Sequence, residues 1–207
     1  MDTTVPAGPA SPGPAYPATY EVDDAGAIDR WRPFVQWLLA IPHFVVLYVL
    51  GIVSNVLAFV SWFVILFTGK LPDSLAGWQN LYVRYTNRAT TYADFLREEY
   101  PPFTFDLTAP DPGDYPGVRT ELGPELDGRN RLTVGFRFIL VIPHLICLFF
   151  LYIAAWVALV VGAFAILFTG TWPEGLREFV IGVTRWNTRV LAYHLLLVDE
   201  YPPFSLE

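Results

Sequence analysis

Residues 41–69 read IPHFVVLYVLGIVSNVLAFVSWFVILFTG, and residues 142–170 read IPHLICLFFLYIAAWVALVVGAFAILFTG. Both runs lack Asp, Glu, Lys and Arg, open on Ile-Pro-His and close on Ile-Leu-Phe-Thr-Gly. A proline suits the first helical turn, where its missing N–H breaks no bond. Gly69 and Gly170 suit a left-handed helix stop, with Pro72 and Pro173 three residues on. The pattern predicts main helices from His43 to Phe67 and from His144 to Phe168, each preceded by a short helix before its proline. A 25-residue helix at about 1.5 Å per residue is about 37 Å long, against about 30 Å of bilayer hydrocarbon. Two charge-free segments of that length favour lipid surroundings over a soluble core.

Working outward, the two runs are parts of one repeat at an offset of 101 residues. Arg84 and Arg88 return as Arg185 and Arg189, Tyr92 as Tyr193, and Tyr100-Pro101-Pro102-Phe103 as Tyr201-Pro202-Pro203-Phe204. Residues 30–106 and 131–207 agree at 27 of 77 positions, in one register and without a gap. Tyr16-Pro17 and Tyr115-Pro116 begin the copies, there at an offset of 99. The expected organisation is therefore a Pro/Ala/Gly-rich disordered tail at 1–15, repeat 1 at 16–106, a linker at 107–114 and repeat 2 at 115–207. Short alternating pieces, Thr19 to Val22 and Val118 to Leu122, read as small strands at the repeat ends.

Composition agrees with a membrane class. Hydrophobic residues make up 54% and charged residues 16% of the 207-residue chain, where soluble domains carry about 25% charged. A net charge of −7 argues against nucleic acid, which needs a basic surface. Cys147 is the single cysteine, so no disulfide forms within one chain. Residues 2–28 contain no Lys or Arg and no signal-peptide core, so the first apolar segment is expected to act as an uncleaved insertion signal.

A second helix follows each main one, at about residues 73–96 and 174–198. Leu75, Trp78, Tyr82, Tyr85, Ala89, Tyr92 and Leu96 alternate at spacings of three and four, and the second copy keeps the pattern. This is a packing seam for the main helix. Two crossings per copy would give four inserted segments and two parallel repeats. The fold expected is thus all-α and integral to the membrane: two tandem parallel repeats, each a short interfacial helix, a transmembrane helix and an amphipathic second helix. Arg30, Arg32, Arg131 and Arg137 flank the main-helix starts. The positive-inside rule then makes the protein a multi-pass one of the plasma membrane with both termini cytoplasmic.

An Ile-Pro-His start, twenty-odd apolar residues, Leu-Phe-Thr-Gly, an Arg-x-x-x-Arg helix and a closing Tyr-Pro-Pro-Phe together resemble the bacterial domain-of-unknown-function family numbered 4389. The resemblance covers both copies, 16–106 and 115–207. It implies a membrane protein, many relatives being actinobacterial, and it carries no reaction, ligand or catalytic residue.

Candidate chemistry is sparse. No GxSxG, P-loop, GxGxxG or metal-ligand spacing occurs, so neither a catalytic residue nor a metal or other cofactor is assigned. Arg84, Arg88, Arg185 and Arg189 form i,i+4 pairs that suit a lipid phosphate or another anion; pairing with Glu99 and Glu200 is the structural alternative. His43 and His144 are candidate ligand contacts beside the main-helix starts. In a parallel pair they would sit at one depth, as a bis-histidine haem requires; an interfacial structural role is the plainer reading. The Tyr-Pro-Pro-Phe segments read as rigid clips on the bundle edge. Function is expected to be that of a non-enzymatic accessory subunit or lipid-associated scaffold, with membrane lipid, other membrane proteins or its own copies as partners. A small transporter or channel for an anionic solute is the alternative.

Overall fold

The computed structural model describes residues 16–107, 115 and 117–207. The expected tail at 1–15 and all of the expected linker but Leu107 lie outside the described residues. In chain order the elements are β1 (Ala18–Val22), α1 (Arg32–Leu39), α2 (Ile41–Thr68), α3 (Asp73–Ala93), β2 (Val118–Leu122), α4 (Arg131–Gly135), α5 (Arg137–Leu140), α6 (Ile142–Thr169) and α7 (Glu174–His194).

The helix boundaries follow from local chemistry. Pro42 and Pro143 lie in the first turns of α2 and α6, and Gly69 and Gly170 end them at φ 72° and 78°. The Gly69 and Gly170 amides close on the Ile65 and Ile166 carbonyls, satisfying groups that a helix end leaves open. The second helices stop earlier than the seam predicts. Phe95 and Leu196 take positive φ values of 59° and 65°, a left-handed turn that no continuing helix allows. It buries both side chains. In the second copy the pre-proline helix breaks at Phe136 into α4 and α5.

The two copies are not parallel. β1 and β2 pair antiparallel, with Ala18 opposite Leu122, Tyr20 opposite Thr120 and Val22 opposite Val118. Each strand also runs antiparallel along the second helix of the other copy. On α7, Arg177 donates to the Asp23 carbonyl and Arg185 to the Tyr20 carbonyl, and Tyr16 reaches the Glu200 carbonyl beyond the helix. On α3, Tyr115 reaches the Glu99 carbonyl, Thr120 meets Asn87, and the Leu126 carbonyl accepts from Leu71. Antiparallel strands each antiparallel to a helix make α3 and α7 antiparallel to each other. The main helices follow. Ile28, just before α1, donates to the Gly170 carbonyl at the end of α6, and Arg129 donates to the Gly69 carbonyl at the end of α2. The start of each main helix therefore lies beside the end of the other. The copies are related by a pseudo-twofold, and Asn87 and Thr188, one repeat apart, join across it at 3.1 Å.

Three layers result. The inner face of the sheet, Ala18, Tyr20, Val118 and Thr120, is buried, while Glu21 and Glu121 face outward. Beneath it lie α3 and α7. On α3, Thr91 bonds Tyr20 of the sheet, while Tyr85 and Gln79 bond α2 through His43 and the Ser54 carbonyl. At about 100° per residue Tyr85 and Gln79 each lie about 120° from Thr91, flanking the direction that points away from the sheet. The third layer is α2 and α6, both on the side away from the sheet.

Candidate functional site

The largest chemical feature is the outer face of that third layer. Eleven large apolar side chains of α2 and thirteen of α6 are exposed, among them Tyr48 at 73%, Phe67 at 78%, Trp156 at 67% and Phe168 at 71%. Such faces arise because neither helix brings a charge and each buries only a narrow stripe, small or polar in its middle: Ser54, Ala58 and Ser61 on α2, Ala155, Ala158 and Gly162 on α6. Even at ~80 Å² for each exposed side chain, the face far exceeds the ~300–600 Å² of the largest apolar patch on a typical soluble monomer. Two helices are long and apolar enough to cross a membrane, spanning Arg32–Thr68 and Arg137–Thr169.

His43 and His144 are both fully buried. The His43 Nδ1 lies 2.7 Å from the Tyr85 hydroxyl, and its ring stacks on Phe103 with centroids 4.3 Å apart. The His144 Nδ1 accepts the Trp186 indole N–H at 3.1 Å, and its ring stacks on Phe204 at 4.0 Å. An indole only donates, so His144 carries its proton on Nε2. Each ring sits in its own aromatic box at opposite ends of the antiparallel pair, so the shared depth expected of parallel helices does not bring the two together as a haem would need. Among the described residues no group of three or more His, Cys, Asp and Glu could hold a metal. The Tyr-Pro-Pro-Phe segments do form clips: Tyr100 and Tyr201 donate to the Leu39 and Leu140 carbonyls while Phe103 and Phe204 cover the histidines.

Three of the four paired arginines hold neighbouring chain. Arg185 donates to the Tyr20 and Leu206 carbonyls and Arg189 to the Ser205 carbonyl. Arg88 donates to the Thr104 hydroxyl. Arg84 and Arg88 line a crevice of about 20 Å³ with Thr104 and Asp106, room for a water and little more. In the second copy these partners are backbone carbonyls, one on the strand and two near the C-terminal end.

Sequence reasoning missed the most buried charges. Arg137, counted above as a topological marker, is 0% exposed. It donates to the Tyr193 and Val198 carbonyls and to the Asp199 carboxylate, with its guanidinium 3.8 Å from the Tyr193 ring centre. Arg129 bonds the same carboxylate at 2.6 Å. In the first copy Gln36 stands where the second has Arg137, and its amide donates to the equivalent carbonyls of Tyr92 and Arg97, both at 2.6 Å. The signal was a polar residue recurring at one repeat position inside an apolar helix. Burial pushes the Asp199 carboxyl up, but the Arg129 guanidinium, the Asn130 amide and Arg137 outweigh it and hold it below the usual range. A lowered pKa gives stability that is present above the ordinary carboxylate pKa of about 3.9 and lost as pH falls through the lower folded value. Thermal unfolding is therefore expected to shift down below about pH 4, and Asp199→Asn is expected to flatten that dependence.

A family model described as Domain of unknown function (DUF4389) matches residues 30–104 and again 131–205. No curated protein and no solved structure matches the chain. The matched segments begin just before the short pre-proline helices and end just past the Tyr-Pro-Pro-Phe clips, so the aromatic boxes and arginine pairs fall inside both: the chain belongs to the DUF4389 family and carries two tandem copies of its domain.

Proposed function

We propose that this protein is a non-enzymatic, lipid-associated scaffold of the plasma membrane, with α2 and α6 lying in the plane of one leaflet and the sheet facing water. The observation that carries this reading is the uncharged apolar face of two antiparallel helices on the side away from the sheet. If α2 and α6 instead crossed the bilayer, the sheet that runs along the middle layer would sit at membrane depth. Its outer side carries Glu21, Asp23 and Arg119, all substantially exposed. Charged groups at the bilayer centre cost about 2.5–3.5 kcal/mol each on insertion scales. An in-plane slab leaves them in water and buries the apolar face to about 5–10 Å, as amphipathic surface helices do. This favours the scaffold over a multi-pass transporter. Partners would be membrane lipid and, on the aqueous side, other proteins or further copies of the chain.

Flotation tests the reading. Purified chain diluted out of detergent into uncharged phosphatidylcholine vesicles is expected to float with them, and to stay bound in 1 M salt because no surface charge pairing holds it. Recovery of a monodisperse chain free of vesicles and detergent would refute it.

A further inference from the structure

We propose that the cavity between α3, α6 and α7 beside Asp94 binds an ammonium head group carried on an apolar chain. The cavity holds about 300 Å³, the lower end of ligand-site volumes, which run from about 300 to 1,000 Å³. Its polar residues are Thr90 and Asp94 from α3 and its end, and Thr184 and Asn187 from α7; Tyr152 and Trp156 of α6 wall the other side.

The site is rich in acceptors. Among the described residues the Asp94 carboxylate has no hydrogen bond or ion pair. Burial pushes its pKa up to about 7, the cost of holding a carboxylate without a cation. The Thr90 hydroxyl donates its proton to the Thr86 carbonyl at 2.9 Å, and the Thr184 hydroxyl to the Val180 carbonyl at 3.1 Å. Their oxygens are left to accept. A carboxylate and two committed hydroxyls call for a ligand that donates several hydrogen bonds and carries positive charge. Trp156, 67% exposed, offers an indole face suited to a cation. It also lies on the apolar face of α6, so a hydrocarbon chain leaving the cavity would continue along that face.

One repeat away, Thr90 and Asp94 become Leu191 and Leu195, and Thr184 becomes Val83. Tyr152 becomes Gly51, and the Tyr82 hydroxyl comes within 3.2 Å of where a Gly51 Cβ would stand. In the duplicated space Leu191, Leu195, Val83 and the Tyr82 phenol replace the carboxylate and two hydroxyls, and Asn55 and Thr86 stand where Trp156 and Asn187 do; the space beside Asp94 is open and holds a carboxylate with no partner among the described residues.

The probe is n-hexylammonium, titrated calorimetrically into the full chain in a non-ionic detergent, with hexanoate as the control. The site predicts saturable binding of the amine, at least tenfold weaker binding of hexanoate, and at least a tenfold loss in Asp94→Asn. Binding should weaken from pH 8 to pH 5 as Asp94 takes up a proton. The titratable groups facing Asp94 are Tyr20 on β1 and Tyr152 on α6, both protonated throughout, and α7 presents only Thr184 and Asn187. Equal affinity for hexanoate, or unchanged affinity in Asp94→Asn, overturns the proposal. Should Asp94→Asn fail to fold, Trp156→Ala at an exposed position gives the same readout: weakened amine binding supports the site and unchanged binding overturns it. Displacement by dihexanoyl phosphatidylethanolamine assigns the head group to a lipid, and amine binding that survives it assigns a free alkylamine. Vesicle flotation of the same variants separates this site from the membrane reading, since flotation should not depend on Asp94.

Discussion

Arg137→Ala is expected to lower the stability of the detergent-solubilised chain by about 3–5 kcal/mol, the usual range for breaking a buried charge pair. The side chain is fully buried, and its donors serve two carbonyls and a carboxylate. Removing it takes one of two guanidiniums from Asp199 and leaves the Val198 carbonyl without that donor, while the Tyr193 carbonyl keeps the Leu196 N–H. The unsatisfied carbonyl costs about 1–3 kcal/mol, and the weakened charge pairing at Asp199 supplies the rest. The first copy supplies the control. Gln36 meets the same pair of carbonyls with a neutral amide, so Arg137→Gln is expected to recover those bonds and lose only about 1–2 kcal/mol, the order of one charged hydrogen bond. Denaturant unfolding followed by circular dichroism reads both. A loss under 1 kcal/mol for the alanine variant would mean that this cluster does not hold the second copy together.

The combined substitution Val56→Asp and Phe149→Asp is expected to reduce vesicle binding at least a hundredfold while leaving the helical circular dichroism signal unchanged. Both side chains are more than half exposed on the outer faces of α2 and α6, so neither change opens a cavity. Each buries a carboxylate in lipid, at a cost of up to about 3 kcal/mol, and about 1.4 kcal/mol is a factor of ten in partitioning. Glu121→Gln on the exposed side of the sheet is the matched control and should bind as the unaltered chain does. Quantitative flotation over a range of lipid concentrations gives the partition ratio.

The elements themselves were legible in the sequence. Proline and glycine punctuation marked α2 and α6 to within two residues, and the three-four seam found α3 and α7 up to their last turn. The misjudged last turn has a local cause, the left-handed Phe95 and Leu196, which few bulky residues adopt. What the sequence did not carry was the operator relating the copies. A repeat fixes the inside of each unit and is silent on how two units dock; here five-residue strands decide it by pairing antiparallel. The structural part of Arg137 was hidden for a related reason. Arg137 was counted by position, as a flanking charge, although its partners lie in residues 193–199, brought close only by the packing of α5 on α7 and its exit. The arginine pairs on α3 and α7 were found by their recurrence, but Arg88, Arg185 and Arg189 bond the sheet and the segments that follow the Tyr-Pro-Pro-Phe clips.

The arrangement of α2 in the bilayer is tested most directly by sidedness. Single cysteines at Ala27 and Ser74, exposed residues on either side of α1 and α2, would be placed in a Cys147→Ala background and treated with a membrane-impermeant maleimide in sealed vesicles of known orientation. A helix lying in one leaflet keeps both sites on the same side, so both should react from that side alone. Reaction of Ala27→Cys from one side and Ser74→Cys from the other would mean that α2 crosses the membrane and would contradict the account.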